Sequence, residues 1–163
     1  MKRRSLSRGA VLPVVLFLAA MMLVTASAWL QASLVAARSA VAVRERVQAF
    51  HAADSALIRC GRMLSGVSRS PGDESSRWRS KTSFEGPAAA AISPFAAWPY
   101  AYRAPQCLIE SWTQTDAAAS ASYLITARGF GATPDSEAWL QLRIDVADGV
   151  STQHWRRVVA KPF

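Results

Sequence analysis

Between Ala10 and Ala37 the chain carries no charged residue, and no other feature restricts its fold as strongly. The densest part runs Ala10-Val11-Leu12-Pro13-Val14-Val15-Leu16-Phe17-Leu18-Ala19-Ala20-Met21-Met22-Leu23-Val24. At a rise of about 1.5 Å per residue, about 20 such residues cross the hydrocarbon core of a bilayer. Pro13 suits a helix that begins near Ala10, because first-turn N–H groups have no intrahelical acceptor to lose. Four of the 19 basic residues, Lys2, Arg3, Arg4 and Arg8, precede the apolar run, leaving 15 against 11 acidic ones. Half of the net +8 therefore sits in a short leader. Such a leader holds the cytoplasmic side of a membrane segment. The high net charge thus reports topology, and it argues against a nucleic-acid partner.

Three processing routes fit this N-terminus. A secretory signal peptide would end at the small-residue pattern Ala26-Ser27-Ala28 and release a soluble binding domain starting at Trp29. An uncleaved signal anchor would keep everything. A leader cut on the cytoplasmic side after Gly9 would leave the apolar helix on the mature protein. Two features favour the third route. Gly9 stands at the boundary between basic leader and apolar run, where a signal peptide has no need of glycine. Helical character also continues past Ala28: Val43, Val47, Phe50, Ala53, Leu57, Cys60 and Leu64 form a stripe spaced by threes and fours. Arg38, Glu45, Arg46, Ser55, Arg59 and Arg62 lie largely off it. Joined without a turn signal, the two parts predict one helix of about 55 residues, roughly 80 Å long.

Export of everything beyond the membrane segment decides how Cys60 and Cys107 are read. In an oxidising compartment an even pair implies a disulfide, whereas in the cytosol it would be two unrelated thiols. Cys60 falls on the helical stripe and Cys107 opens a strand-like run, so a helix-to-sheet staple is reasonable. Between them, Pro71-Gly72, Gly86-Pro87, Pro94, Pro99 and Pro105 predict loop with short elements at most. Arg69, Arg77, Arg79 and Lys81 flank Trp78 there, but Asp73, Glu74 and Glu85 offset them, which reads as a solvated loop.

Four strand-like runs follow, over residues 107–113, 122–130, 139–146 and 150–159. The third alternates, with Leu140, Leu142, Ile144 and Val146 on one face and Trp139, Gln141, Arg143 and Asp145 on the other. Asp148-Gly149 reads as a hairpin turn into the fourth. Trp98, Trp112, Trp139 and Trp155 could form a sugar-binding platform, although core or subunit contacts are the simpler use. Chemistry has little to stand on. His51 lies near Asp54 but reads as a polar flank of the stripe and not an acid–base pair, and His154 falls on the last strand. No cysteine–histidine–carboxylate spacing suggests a metal, and no cofactor motif is present. Gly129-Phe130-Gly131 lacks the third glycine of a dinucleotide loop and leads to Pro134, not to a helix.

Several of these segments resemble one family. Arg8-Gly9-Ala10-Val11-Leu12-Pro13-Val14-Val15-Leu16 resembles the cleavage region of prepilin-like proteins. Ala49-Phe50-His51-Ala52-Ala53-Asp54-Ser55-Ala56-Leu57 is similar to the alanine-rich helix of PilX-type minor pilins. Pro105-Gln106-Cys107-Leu108-Ile109-Glu110 and Tyr123-Leu124-Ile125-Thr126-Ala127-Arg128-Gly129-Phe130-Gly131 resemble two of that family's strands. The segments occur in family order; residues 65–104 resemble nothing named.

The resemblance implies an α+β, pilin-like fold, with a long helix packed on a small antiparallel sheet. Its parts are a basic leader (1–9), a transmembrane helix half (10–30), an amphipathic half (31–66), an irregular region (67–105) and a sheet-bearing head (106–163). It further implies cleavage by prepilin peptidase between Gly9 and Ala10 and N-methylation of Ala10. The protein would span the inner membrane once, with a periplasmic head and lipid around its first helix half. Its helix would meet other minor pilins and the major pilin. Major pilins carry a glutamate at the fifth residue after cleavage, where this chain has Val14. That departure points to a minor subunit priming assembly at the pilus tip. A GspK-like pseudopilin of a type II secretion system shares the same helix logic and stays open as an alternative.

Overall fold

The computed structural model describes residues 11–64, 77–112, 121–147 and 149–163. Gly9, Ala10, the basic leader, Pro71-Gly72 and Asp148 lie outside them, as does the side chain of Trp112. Helix α1 spans Val11–Met63. A single 3₁₀ turn, Arg77–Arg79, and a short helix α2, Lys81–Phe84, precede four strands: β1 Gln106–Trp112, β2 Ala121–Phe130, β3 Glu137–Ala147 and β4 Val150–Val158. The strands form an antiparallel meander in chain order. One long N-terminal helix with a four-stranded antiparallel sheet is an α+β, pilin-like arrangement.

Contacts divide the chain into two units, residues 1–42 and 43–163. In the first, α1 exposes Val11, Leu12, Val14, Leu16, Phe17, Met22, Leu23 and Trp29. Its hydroxyls turn inward: Thr25 Oγ1 donates to the Met21 and Met22 carbonyls, and Ser27, Ser33 and Ser39 each donate to the carbonyl three residues back. Such back-bonding satisfies these hydroxyl donors within the helix, as suits a helix in lipid.

The second unit is the head. Its register places Cys107, Ile125, Leu140 and Ile144 on the sheet face that meets α1, and these are buried with Ala49, Ala53, Ala56, Leu57 and Cys60. The buried stripe thus runs Ala49, Ala52, Ala53, Ala56, Leu57, Cys60. This corrects the stripe read from periodicity, because Val43 and Val47 are exposed and Phe50 and Leu64 only partly buried. The reason is closeness of approach. A Cβ built on Gly129 would lie 2.9 Å from Ala53 Cα, and nearer still to the Ala49 carbonyl oxygen and the Ala53 amide nitrogen. Backbone packed that tightly admits only small residues opposite, so the helix turns its alanines, not its valines, toward the sheet.

The other sheet face is covered as well. Trp78, Phe84, Leu108, Leu124 and Trp139 form a second buried cluster, with Ala91, Val158 and Phe163 packed against it. The 77–105 segment supplies much of this cover. It is tied down by Gln106 Nε2 donating to the Phe84 carbonyl (3.1 Å), by paired Ile92–Cys107 backbone bonds (both 2.8 Å), and by Tyr102 N donating to the Gly131 carbonyl (2.7 Å). The alternation read along β3 therefore marks two buried faces at Trp139 and Gln141, where a solvated outer face would have been the simpler reading.

Candidate functional site

Among the described residues no three His, Cys, Asp or Glu side chains stand close enough to hold a metal ion. Many of the described charged and polar residues hold the head together.

Arg128 is the centre of the head's polar structure. Its side chain is 5% exposed, and β2 directs it to the outer sheet face beside Trp139. Nε and Nη2 grip both oxygens of Glu137 (3.2 and 2.8 Å), and Nη1 reaches Glu85 Oε1 at 2.8 Å. Trp139 Nε1 and Lys161 Nζ complete the Glu137 carboxylate at 3.0 and 3.2 Å. The guanidinium also lies 4.7, 5.2 and 5.4 Å from the ring centres of Phe130, Trp139 and Phe163. With Lys81 3.6 Å from Glu85, three cations thus offset the two carboxylates where an unpaired charge would be costly. The hydrogen bond from Arg128 holds the Glu85 carboxyl below its ordinary range. Burial opposes ionisation of Glu137, but the Arg128, Lys161 and Trp139 hydrogen bonds outweigh it and keep that carboxyl low.

The residues Ala127-Arg128-Gly129-Phe130-Gly131 therefore do three structural jobs at once. Gly129 admits the helix, Arg128 ties sheet to loop on the opposite face, and a Cβ on Gly131 would meet Ser136 and the Glu45 carbonyl. A second polar ladder crosses the sheet alongside, with Gln141 Nε2 donating to Thr126 Oγ1 (2.9 Å) and Arg156 Nε donating to Gln141 Oε1 (2.8 Å). Cys60 of α1 and Cys107 of β1 are joined as a disulfide, with Cα atoms 6.7 Å apart. Sequence reasoning missed both polar networks. The only available signal was a charge, Arg128, inside an apolar strand.

Two carboxylates behave differently. Ser122 donates to Asp145, and Arg143 supports it, so Asp145 is held low. Glu110 is 5% exposed, and neither oxygen has a hydrogen-bond partner among the described residues. Burial pushes its carboxyl up to about 6, although the Arg77 and Trp78 backbone N–H groups and the Arg77 charge, near it but outside hydrogen-bond geometry, favour the ionised form.

Of the tryptophans weighed as a platform, Trp139 is core, Trp98 is half-buried edge-on to Phe95, and Trp155 stands edge-on to Phe50. The described three are thus separately employed. His51 and His154 are both exposed, on α1 and β4. Val14 is 56% exposed on α1, and α1 is long and apolar enough to cross a membrane, with none of its apolar window buried.

A head of this fold following an apolar N-terminal helix long enough to cross a membrane is a pilin-like arrangement. Residues 24–144 match the family described as type IV pilus assembly protein PilX, C-terminal region. That match covers most of the chain, and the protein belongs to the PilX family. The family is structural, not enzymatic, and works among other pilus components. No curated protein matches the chain, and no solved structure does.

Proposed function

We propose that this chain is a minor pilin that primes type IV pilus assembly from a complex at the filament tip. The observation that carries the reading is Val14, an exposed apolar residue where a shaft subunit of this kind carries glutamate. In a pilin-like filament each N-terminal amine enters an apolar core, where an unpaired charge is costly. The glutamate of a neighbouring subunit offsets that amine. Val14 offers no such partner, and a tip position demands none, because no subunit lies beyond it.

On this reading prepilin peptidase cuts between Gly9 and Ala10, Ala10 is N-methylated, and the first helix half stays in the inner membrane until the subunit joins the fibre. The head is periplasmic, and the helix meets the other minor pilins and the major pilin. Immunogold labelling and quantitative proteomics of sheared pili test the placement. Substoichiometric signal confined to fibre ends is expected; labelling along the shaft at parity with the major pilin refutes it. The mature N-terminus tests the anchoring: mass spectrometry should find N-methyl-Ala10, and a start at Trp29 would overturn the whole reading.

A further inference from the structure

β4 is the last strand of the sheet, and only β3 pairs with it. Ala147 pairs with Val150 across a two-residue turn, at whose second position Gly149 adopts a φ of 79°. A pair closing so short a turn is hydrogen-bonded, and bonded and non-bonded pairs alternate from there. Val150, Thr152, His154, Arg156 and Val158 therefore bond β3, while Ser151, Gln153, Trp155 and Arg157 turn their N–H and C=O groups outward. Among the described residues no other backbone group reaches them. All of β4 except Val158 is exposed.

The edge is also strongly basic. His154, Arg156 and Arg157 lie on it; of the nearby acids, Glu137 and Asp145 are already taken by Arg128, Lys161, Ser122 and Arg143, and Asp135 shares a small cleft with Arg157. Neither Arg156 nor Arg157 makes an ion pair among the described residues. Beside the strand opens a cleft of about 360 Å³ lined by Leu124, Gln141, Arg143, His154, Trp155 and Arg156. Its walls mix apolar surface with cationic groups, a fit for an alternating acidic and apolar chain. The family match ends at residue 144, so β4 lies beyond it.

We propose that the β4 edge is a docking site for an extended acidic segment of a partner polypeptide, which adds to the sheet as a fifth strand. Backbone pairing supplies the affinity, and the basic flank with its cleft selects carboxylate-bearing, alternately apolar sequence. The inference rests on the chain being an assembly subunit only in that such a subunit has polypeptide partners.

The test uses the full chain in detergent micelles and a synthetic peptide, acetyl-(Glu-Val)4-amide, with hydrogen exchange read by mass spectrometry. With a Kd near 0.1 mM, about 1 mM peptide slows exchange of the outward amides roughly tenfold. Protection confined to β4 and weakened by salt is expected, and acetyl-(Lys-Val)4-amide should give none. Gln153→Pro removes an outward donor without breaking the β3 ladder, and should abolish protection at unchanged melting temperature. If that variant misfolds, the double charge reversal Arg156→Glu with Arg157→Glu serves instead, and should switch preference to the lysine peptide. Absence of β4 protection at about 1 mM acidic peptide overturns the proposal, as does equal protection by both peptides. Self-association of the charge-reversed chain without peptide protection also overturns it, since the charges then serve only to keep copies apart. No pilus is needed for this experiment, so its failure leaves the tip assignment standing.

Discussion

Replacing Glu110 by Gln removes a buried charge while keeping the shape of the side chain. The carboxyl rises from 4.5 in the unfolded chain to about 6 in the folded head, burial being the cause. The folded state therefore prefers the protonated form, and this contribution to stability is fully present below pH 4.5. It is lost as pH rises through 6 and stays constant above. A shift of that size corresponds to about 2 kcal/mol. Glu110→Gln should accordingly be more stable than wild type by about 2 kcal/mol at pH 7, with the advantage vanishing below pH 4.5. For a head of this size the gain appears as roughly 6–10 °C in melting temperature. Near-ultraviolet circular dichroism of the full chain in detergent, melted between pH 4 and 8, measures it. Glu85, Glu137 and Asp145 are held low and weaken the fold in acid. They do so equally in both proteins, so the difference between the two curves isolates Glu110. A variant no more stable than wild type at pH 7, or one whose advantage persists below pH 4.5, would refute the reasoning.

Three further perturbations have defined outcomes. Gly129→Ala forces a methyl into the Ala49 and Ala53 backbone, so it should cost about 3 kcal/mol or more in a chemical denaturation series; a loss under 1 kcal/mol would mean that helix and sheet separate easily. Reduction of the Cys60–Cys107 bridge, which spans 47 residues, should destabilise the head by up to about 4 kcal/mol, and oxidised periplasmic material should show no free thiol by alkylation mapping. Gly9→Leu should leave unprocessed chain in the membrane, read by immunoblot mobility and intact mass; cleavage at the same bond would show that the site is wrongly assigned.

What was legible beforehand was local. A charge-free run has no soluble solution of its own length, so the apolar helix could be read directly from Ala10 to Ala37. Strand period and turn residues likewise marked the four strands of the sheet, because alternation and a Gly149 turn are properties of neighbours in sequence. The helix face toward the sheet was misjudged for the opposite reason. Hydropathy ranks Val43 and Val47 above Ala49 and Ala52, yet burial went to the alanines because Gly129 brings another strand's backbone against them. Size complementarity between residues 80 positions apart (129 less 49) leaves no trace in a local pattern.

Composition and periodicity by themselves determined that this chain has one membrane-type helix and a small antiparallel head, since both follow from the solvation of consecutive residues. Tertiary structure alone decided the rest. Arg128 became a buried hub instead of a solvated strand charge because Glu85, Glu137 with Trp139, and Phe163 converge on it from three places in the chain. Glu110 was buried because the 77–84 segment closed over its sheet face. Desolvation depends on what comes to lie above a group, and that is settled by long-range packing.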